Sequence, residues 1–211
     1  MTRTRSTLAA AAAIALAALG LPFASHAETA SPRRDPADPF CYGCQQVGLT
    51  VAGGFGIAIF GGDDHEVDET RLFGVFPRWT IGVTDPIARD TFYEGNFELG
   101  IEPMALFNYD PRTGWAAGGS FLLRYNFLAA ESLTPYLEGA GGFSEMQFRL
   151  AGQADGFTYP LRVSLGVYKP VSERTALMAS VGYFHLSNAR RELPNLGINA
   201  VLIQIGMVAL P

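Results

Sequence analysis

Long segments in which apolar and polar residues alternate constrain the fold of this chain more than any other feature. In residues 157–167 every second side chain is large and apolar, and the residues between them include Thr158, Arg162 and Ser164. Residues 120–127 and 200–207 largely follow the same pattern. Successive side chains of a strand point to opposite faces, so each segment has one apolar face and one small or polar face. The pattern therefore predicts β-strands.

Eight such segments occur along the chain, and turn-forming residues separate them. The breaks contain Gly and Asp at 61–64, Asp-Pro at 85–86 and 110–111, and Gly, Pro or Asn at 152–156 and 194–197. Gly and Pro at these places supply turn geometry and end a strand. The predicted strands lie near 46–61, 69–84, 92–107, 114–128, 134–148, 157–170, 174–188 and 197–209. This order predicts an all-β fold.

Two features favour a transmembrane barrel over a soluble β-sandwich, which has the same alternation. The segments reach the length of about 9–11 residues that a tilted membrane strand needs. Their polar faces also carry charges in mid-strand, and a narrow barrel can pair such charges inside its lumen. These residues are Glu98, Glu102, Arg124, Glu138 and Arg162. We predict an eight-stranded antiparallel transmembrane β-barrel over residues 46–211, although the chain ends in Pro211 rather than in the aromatic residue common among outer-membrane barrels.

The N-terminus has the features of a secretory signal peptide. Arg3 and Arg5 precede an apolar run over 8–24, and Ser25-His26-Ala27 supplies small residues at a cleavage point. We expect cleavage after Ala27, a signal peptide over 1–27, and export to the bacterial outer membrane. Residues 28–45 contain several prolines and charges, which predicts an exposed N-terminal leader.

The cysteine spacing and the net charge argue against two other function classes, haem attachment and nucleic-acid binding. In an exported protein Cys41 and Cys44 could form a small disulfide loop. The C-x-x-C-H haem attachment signature fails because Gln45 follows Cys44. The net charge of −5 is mild and unclustered, which argues against a nucleic-acid partner.

Residues near the C-terminus carry the chemistry. The run Tyr183-Phe184-His185-Leu186-Ser187-Asn188-Ala189 leads through Pro194-Asn195-Leu196-Gly197-Ile198-Asn199 into the last predicted strand. This arrangement resembles the lipid A 3-O-deacylase (PagL) family, whose hallmark is His-x-Ser-Asn-Ala followed by Asn-x-Gly-x and then Glu or another polar residue. Residues 121–127 and 134–139 extend the resemblance upstream. The resemblance implies an outer-membrane serine esterase. Its substrate would be lipid A or lipopolysaccharide in the outer leaflet, from which it would remove the acyl chain that is ester-linked at the 3-O position.

Strand geometry places the candidate residues together. His185 and Ser187 are two residues apart, so they point to the same face of a strand. Asn199 is in register with the apolar residues of the last strand, so we expect all three to project toward lipid. Polar groups on such a surface are costly unless function retains them. With both termini in the periplasm, the connection between strands seven and eight faces outward, at the depth of the outer leaflet.

The expected mechanism needs no metal or organic cofactor. Ser187 is the predicted nucleophile and His185 its general base. Asn188, Asn195 and backbone N–H groups near Gly197 are candidates for stabilising the oxyanion. The chain has Asn199 at the position where the best-known relative in the family has a glutamate that orients the histidine.

An amide oxygen at position 199 can still accept a hydrogen bond from the imidazole, although it cannot offset the imidazolium charge. Three readings stay open: Asn199 suffices at a reduced rate, another acid such as Glu192 substitutes, or the enzyme is impaired. A second function class is also open, namely a non-enzymatic small barrel with a role in structure, adhesion or lipid binding. His65, in an acidic turn, belongs either to a cation site or to a solvated loop. The oligomeric state is open as well.

Overall fold

Each of the eight alternating segments forms a strand. The computed structural model describes residues 39–58, 66–130 and 132–211. A short 3-10 helix, Glu66–Asp68, precedes the second strand. The strands are β1 Gln45–Gly56, β2 Arg71–Gly82, β3 Gly95–Asp110, β4 Gly114–Phe127, β5 Thr134–Gln147, β6 Gly156–Ser172, β7 Thr175–Ser187 and β8 Ile198–Ala209.

The strands close into a barrel. Each strand pairs antiparallel with the next, and β1 pairs with β8. The predicted eight-stranded antiparallel barrel is confirmed. Within the described residues, no helix has the length and apolarity that a bilayer crossing takes. The predicted signal peptide, its cleavage after Ala27, most of the leader and His65 lie outside the described residues.

The two faces of the barrel wall differ in polarity. On β6 the outward residues Leu161, Val163 and Leu165 are more than half exposed, while Arg162 and Ser164 between them are buried. Exposed large apolar side chains recur on the outside of all eight strands. An apolar outer wall around a polar interior is the arrangement that a bilayer imposes on a barrel.

The predicted mid-strand charges meet inside the lumen. Glu138 accepts hydrogen bonds from Arg78, Arg124 and Arg162, and its Oε1 lies 2.7 Å from Nη2 of Arg162. Glu102 bridges Arg78 and Arg162. Glu98 contacts Arg124, and all six side chains are buried. We refer to these three arginines and three glutamates as the lumen network.

Apolar layers lie on both sides of the lumen network. One end of the barrel has the β1–β2, β3–β4, β5–β6 and β7–β8 connections. Near that end the interior contains Phe76, Leu106 and Leu186. Toward the chain termini it contains Phe40, Tyr168 and Val208. We call these two ends of the barrel the loop end and the terminal end. At the terminal end, Cys41 and Cys44 are joined by a disulfide.

Candidate active site

The site is built on the outer face of the last hairpin, at the loop end. His185 and Ser187 are at the end of β7, and Asn199 is at the start of β8. His185 and Asn199 are directly opposite each other in the antiparallel ladder. Directly opposed residues of a ladder lie on the same face, so the pairing register itself brings the predicted imidazole and amide together.

The three side chains form a hydrogen-bonded chain. His185 Nδ1 is 2.8 Å from Asn199 Oδ1, and His185 Nε2 is 2.9 Å from Ser187 Oγ. An amide oxygen can only accept, so Nδ1 carries the imidazole proton and donates it to Asn199. Nε2 then presents its lone pair to the Ser187 hydroxyl, which is the arrangement that a general base for a serine nucleophile requires.

The burial of the three residues differs from the expectation that all project toward lipid. His185 and Ser187 are half-buried on the outer face. Asn199 lies on the same face but is only 5% exposed. Its Oδ1 also accepts a hydrogen bond from the Tyr183 hydroxyl at 2.5 Å. The amide is therefore covered by its neighbours rather than open to lipid, because Tyr183 and His185 both turn toward it. Tyr183 is a further member of this network, and no role in the site was predicted for it from the sequence.

The loop after Asn195 packs directly on the imidazole. Gly197 has a φ of +76°, a conformation that residues with a side chain rarely adopt. A Cβ at this position would lie 2.8 Å from His185 Cε1. The Gly197 N–H donates to Gln153 Oε1 at 2.9 Å, so the β5–β6 loop holds the β7–β8 loop in place. Nothing in the local sequence around Gln153 signals this contact.

The predicted oxyanion donors have different surroundings. Asn188 is buried, its side-chain Nδ2 donates to the carbonyl of Glu192, and its backbone N–H donates to Asn195 Oδ1. The Gly197 N–H is engaged by Gln153. These N–H donors of Asn188 and Gly197 are thus hydrogen-bonded within the loops. For Asn195 the amide oxygen is the fixed end, which turns its NH₂ group away from Asn188.

Glu192 does not contact His185 as an orienting acid in this structure. His185 Nδ1 is bonded to Asn199, while the Glu192 carboxylate lies near Gly156, at the start of β6. The reading in which Asn199 itself orients the histidine is the one that matches the geometry. Within the described ranges, no group of three or more His, Cys, Asp or Glu residues could hold a metal ion.

A cationic side chain, Arg191, contacts the strand that is paired with the end of β7. Arg191 stacks on Phe157, with its Cζ 5.1 Å from the ring centroid, and its Nη1 is 3.4 Å from the Tyr159 hydroxyl. Tyr159 is paired with Ser187 across the β6–β7 ladder. Among the described residues, Arg191 has no carboxylate within salt-bridge distance.

Comparison with solved structures gives the same architecture. The structure of the outer membrane enzyme PagL aligns with a TM-score of 0.56 at 14% identity, covering 78% of this chain and 99% of that one. Neisserial surface protein A (NspA) aligns with a TM-score of 0.52 at 17% identity, covering 79% of this chain and 97% of that one. At these identities the likeness concerns the fold. No curated protein matches the sequence.

A family model provides the stronger evidence. The model described as lipid A 3-O-deacylase (PagL) matches residues 78–208, which include most of the barrel and all of the β7–β8 hairpin except its last residue. The match spans His185, Ser187 and Asn199, the three residues that the hydrogen bonds join. This chain belongs to the lipid A 3-O-deacylase (PagL) family.

Proposed function

We propose that this protein is an outer-membrane serine esterase that removes the 3-O-linked acyl chain of lipid A. The observation that carries the proposal is the Ser187–His185–Asn199 hydrogen-bonded chain on the outward wall of the barrel. A hydroxyl, a base and an orienting acceptor in this order are the components of a serine hydrolase site. Their place on the lipid-facing side suits a substrate that is itself a membrane lipid.

The proposed reaction follows from the proton positions. Ser187 Oγ attacks the ester carbonyl carbon as its proton passes to His185 Nε2. The tetrahedral intermediate expels the sugar oxygen, which takes that proton from His185 and leaves an acyl-serine. Water then attacks the acyl-serine and gives a proton to His185; the fatty acid departs and Ser187 regains the proton. The Asn195 amide NH₂ is the donor that we assign to the oxyanion.

The wall around the site suits an acyl chain. Leu161 is paired with His185 on the neighbouring strand, and Val163 and Leu165 continue the exposed apolar row along β6. On the other side, Ile203 and Ile205 of β8 are also more than half exposed. An acyl chain that lies along this wall in the bilayer places its ester at the loop end. With the loops outward, that depth is the outer leaflet, where lipid A resides.

The experiment that tests the function is the mass of lipid A from cells that express the protein. We expect lipid A to lose the mass of one hydroxyacyl chain, and fragmentation to place the loss at the 3-O position. An unchanged mass with a folded barrel in the membrane contradicts the proposal and favours a non-enzymatic barrel. Loss from another ester position retains the esterase but corrects the regiochemistry.

Gly197→Ala is expected to lower the deacylation rate at least about tenfold, because the new methyl group and the left-handed backbone both displace the loop from His185. The rate is measured on purified lipid A in detergent. Gly139→Ala is the matched control, since a Cβ there meets nothing within 4 Å. Equal rates for wild type and Gly197→Ala, with both folded, contradict the role of this loop contact.

Arg191→Gln is expected to raise KM about fivefold for bisphosphorylated lipid A and to leave kcat nearly unchanged, because a guanidinium binds phosphate through charge-assisted hydrogen bonds. The effect should disappear with a dephosphorylated substrate. Arg174→Gln, at the opposite end of the barrel between β6 and β7, is the control. The same loss on both substrates argues against phosphate recognition by Arg191.

A further inference from the structure

The amide of Asn199 can face His185 with either of two different ends, whereas the two oxygens of a glutamate are equivalent. A carboxylate has two equivalent oxygens, so either can accept the imidazole proton. An amide has one acceptor and one donor end. If the NH₂ end of Asn199 faced His185, Nδ1 would have to accept, and the ring proton would sit on Nε2. His185 could then no longer take the proton of Ser187, because the nitrogen that faces the hydroxyl would already be protonated.

Tyr183 lies where it can settle this choice. It is on the same face of β7 as His185, and its hydroxyl is 2.5 Å from Asn199 Oδ1. This distance falls within the O–H···O range of about 2.5–3.0 Å and below the N–H···O range of about 2.7–3.2 Å. The contact therefore suits the oxygen end of the amide. Oδ1 accepts from Tyr183 and from His185 at the same time, at 2.5 and 2.8 Å.

The surroundings of Asn199 make the tyrosine contact matter. The residue is 5% exposed, so water has little access to its amide, whereas Tyr183 is 37% exposed. The Tyr183 ring thus extends along the outer wall and its hydroxyl turns inward, beneath the membrane-facing surface. With the amide turned the other way, the short contact would join the hydroxyl to NH₂, and the tyrosine proton would lose this acceptor.

We propose that Tyr183 is a positioning residue that holds the Asn199 amide with its oxygen toward His185, and thereby fixes the imidazole tautomer that catalysis needs. The inference rests on the proposed esterase function for its kinetic consequences. It explains how a family member with an amide at position 199 retains an oriented histidine. Tyr183 acts through Asn199 and does not itself touch the reacting atoms.

The kinetic test is a double-mutant cycle between positions 183 and 199. Tyr183→Phe alone is expected to lower kcat about tenfold at unchanged KM, because part of the population has the wrong tautomer. Asn199→Glu alone is expected to match or exceed the wild-type rate. In the Asn199→Glu background, Tyr183→Phe should cost less than about threefold, because a carboxylate needs no orienting donor. Tyr109→Phe, a distant outward tyrosine on β3, is the control for loss of an exposed hydroxyl.

The outcomes separate the alternatives. An equal loss from Tyr183→Phe in both backgrounds indicates a merely structural tyrosine and overturns the proposal, as does an unchanged kcat. An inactive wild-type protein overturns the proposed function instead.

A second measurement does not need activity. In ¹⁵N-histidine spectra of the folded barrel, His185 is expected to carry its proton on Nδ1 in wild type. The Nε2-protonated form should grow in Tyr183→Phe, with His185→Ala identifying the signal. Identical spectra for wild type and Tyr183→Phe overturn the inference whatever the kinetics show.

Discussion

Replacing Ser187 with alanine is expected to abolish deacylation of lipid A while the barrel stays folded. The Ser187 hydroxyl is the predicted nucleophile, and its oxygen lies 2.9 Å from His185 Nε2, the nitrogen that can take its proton. Removal of the nucleophile from a serine hydrolase lowers kcat by a factor on the order of 10⁶. Ser187 is half-buried at the end of a strand, so loss of its hydroxyl costs the fold little.

The measurement is the mass of lipid A from cells that express wild-type or variant protein at equal levels in the outer membrane. Ser180→Ala is the matched control on the same strand, because its hydroxyl faces the lumen and bonds to Gln204. The control should deacylate at the wild-type level. If Ser187→Ala still yields shortened lipid A, the nucleophile is another residue, and the mechanism proposed for this site is wrong.

Much of the fold can be predicted from the sequence because a barrel wall between lipid and lumen imposes a strict period of two. For β5 the alternation predicts 134–148, and the strand spans Thr134–Gln147. For β3 it predicts a start at 92, whereas the strand starts at Gly95. Phe92 and Tyr93 are exposed aromatic residues in the preceding turn, and their apolar character resembles that of a strand.

The lumen network is only partly visible in the sequence. Glu138, Arg124 and Arg162 stand out because their strands have polar interior faces. Arg78 does not, because its interior neighbours on β2 include Leu72 and Phe76, which belong to the apolar layer at the loop end. Its contact with Glu138 joins strands that are not adjacent, so only the closed barrel reveals it.

Some features of the candidate site can be predicted from the sequence and others cannot. The spacing of His185 and Ser187 and the position of Asn199 predict a shared outer face, and the ladder register fulfils that expectation. The coverage of Asn199 by Tyr183 and the contact of Gln153 with Gly197 depend on side-chain direction and on packing between loops. Neither contact has a local sequence signal, because Gln153 and Gly197 are 44 residues apart and Tyr183 and Asn199 are 16 residues apart.

The second large effect is expected from Glu138→Gln, which should lower the free energy of unfolding by about 3–5 kcal/mol. Glu138 contacts three buried arginines, and Glu98 and Glu102 are the other carboxylates of the lumen network. The substitution leaves a buried positive charge uncompensated, although the side-chain volume hardly changes. Chemical denaturation of the barrel in lipid vesicles measures the difference. Glu145→Gln, at an exposed residue of the same strand, should shift the midpoint little.

We attribute the expected loss of stability in Glu138→Gln to the unbalanced charge and not to a change in side-chain shape. A double variant, Glu138→Gln with Arg78→Gln, removes one charge of each sign and should recover part of the lost stability. A double variant that is less stable by the full sum of both single losses contradicts that cause.

The activity of folded Glu138→Gln should stay near that of the wild type. The reason is that an apolar layer, which contains Leu186 and Ile198, separates the lumen network from the outer site. Those two residues flank His185 and Asn199 in sequence and are fully buried, so their packing maintains the β7–β8 register on which the His185–Asn199 hydrogen bond depends.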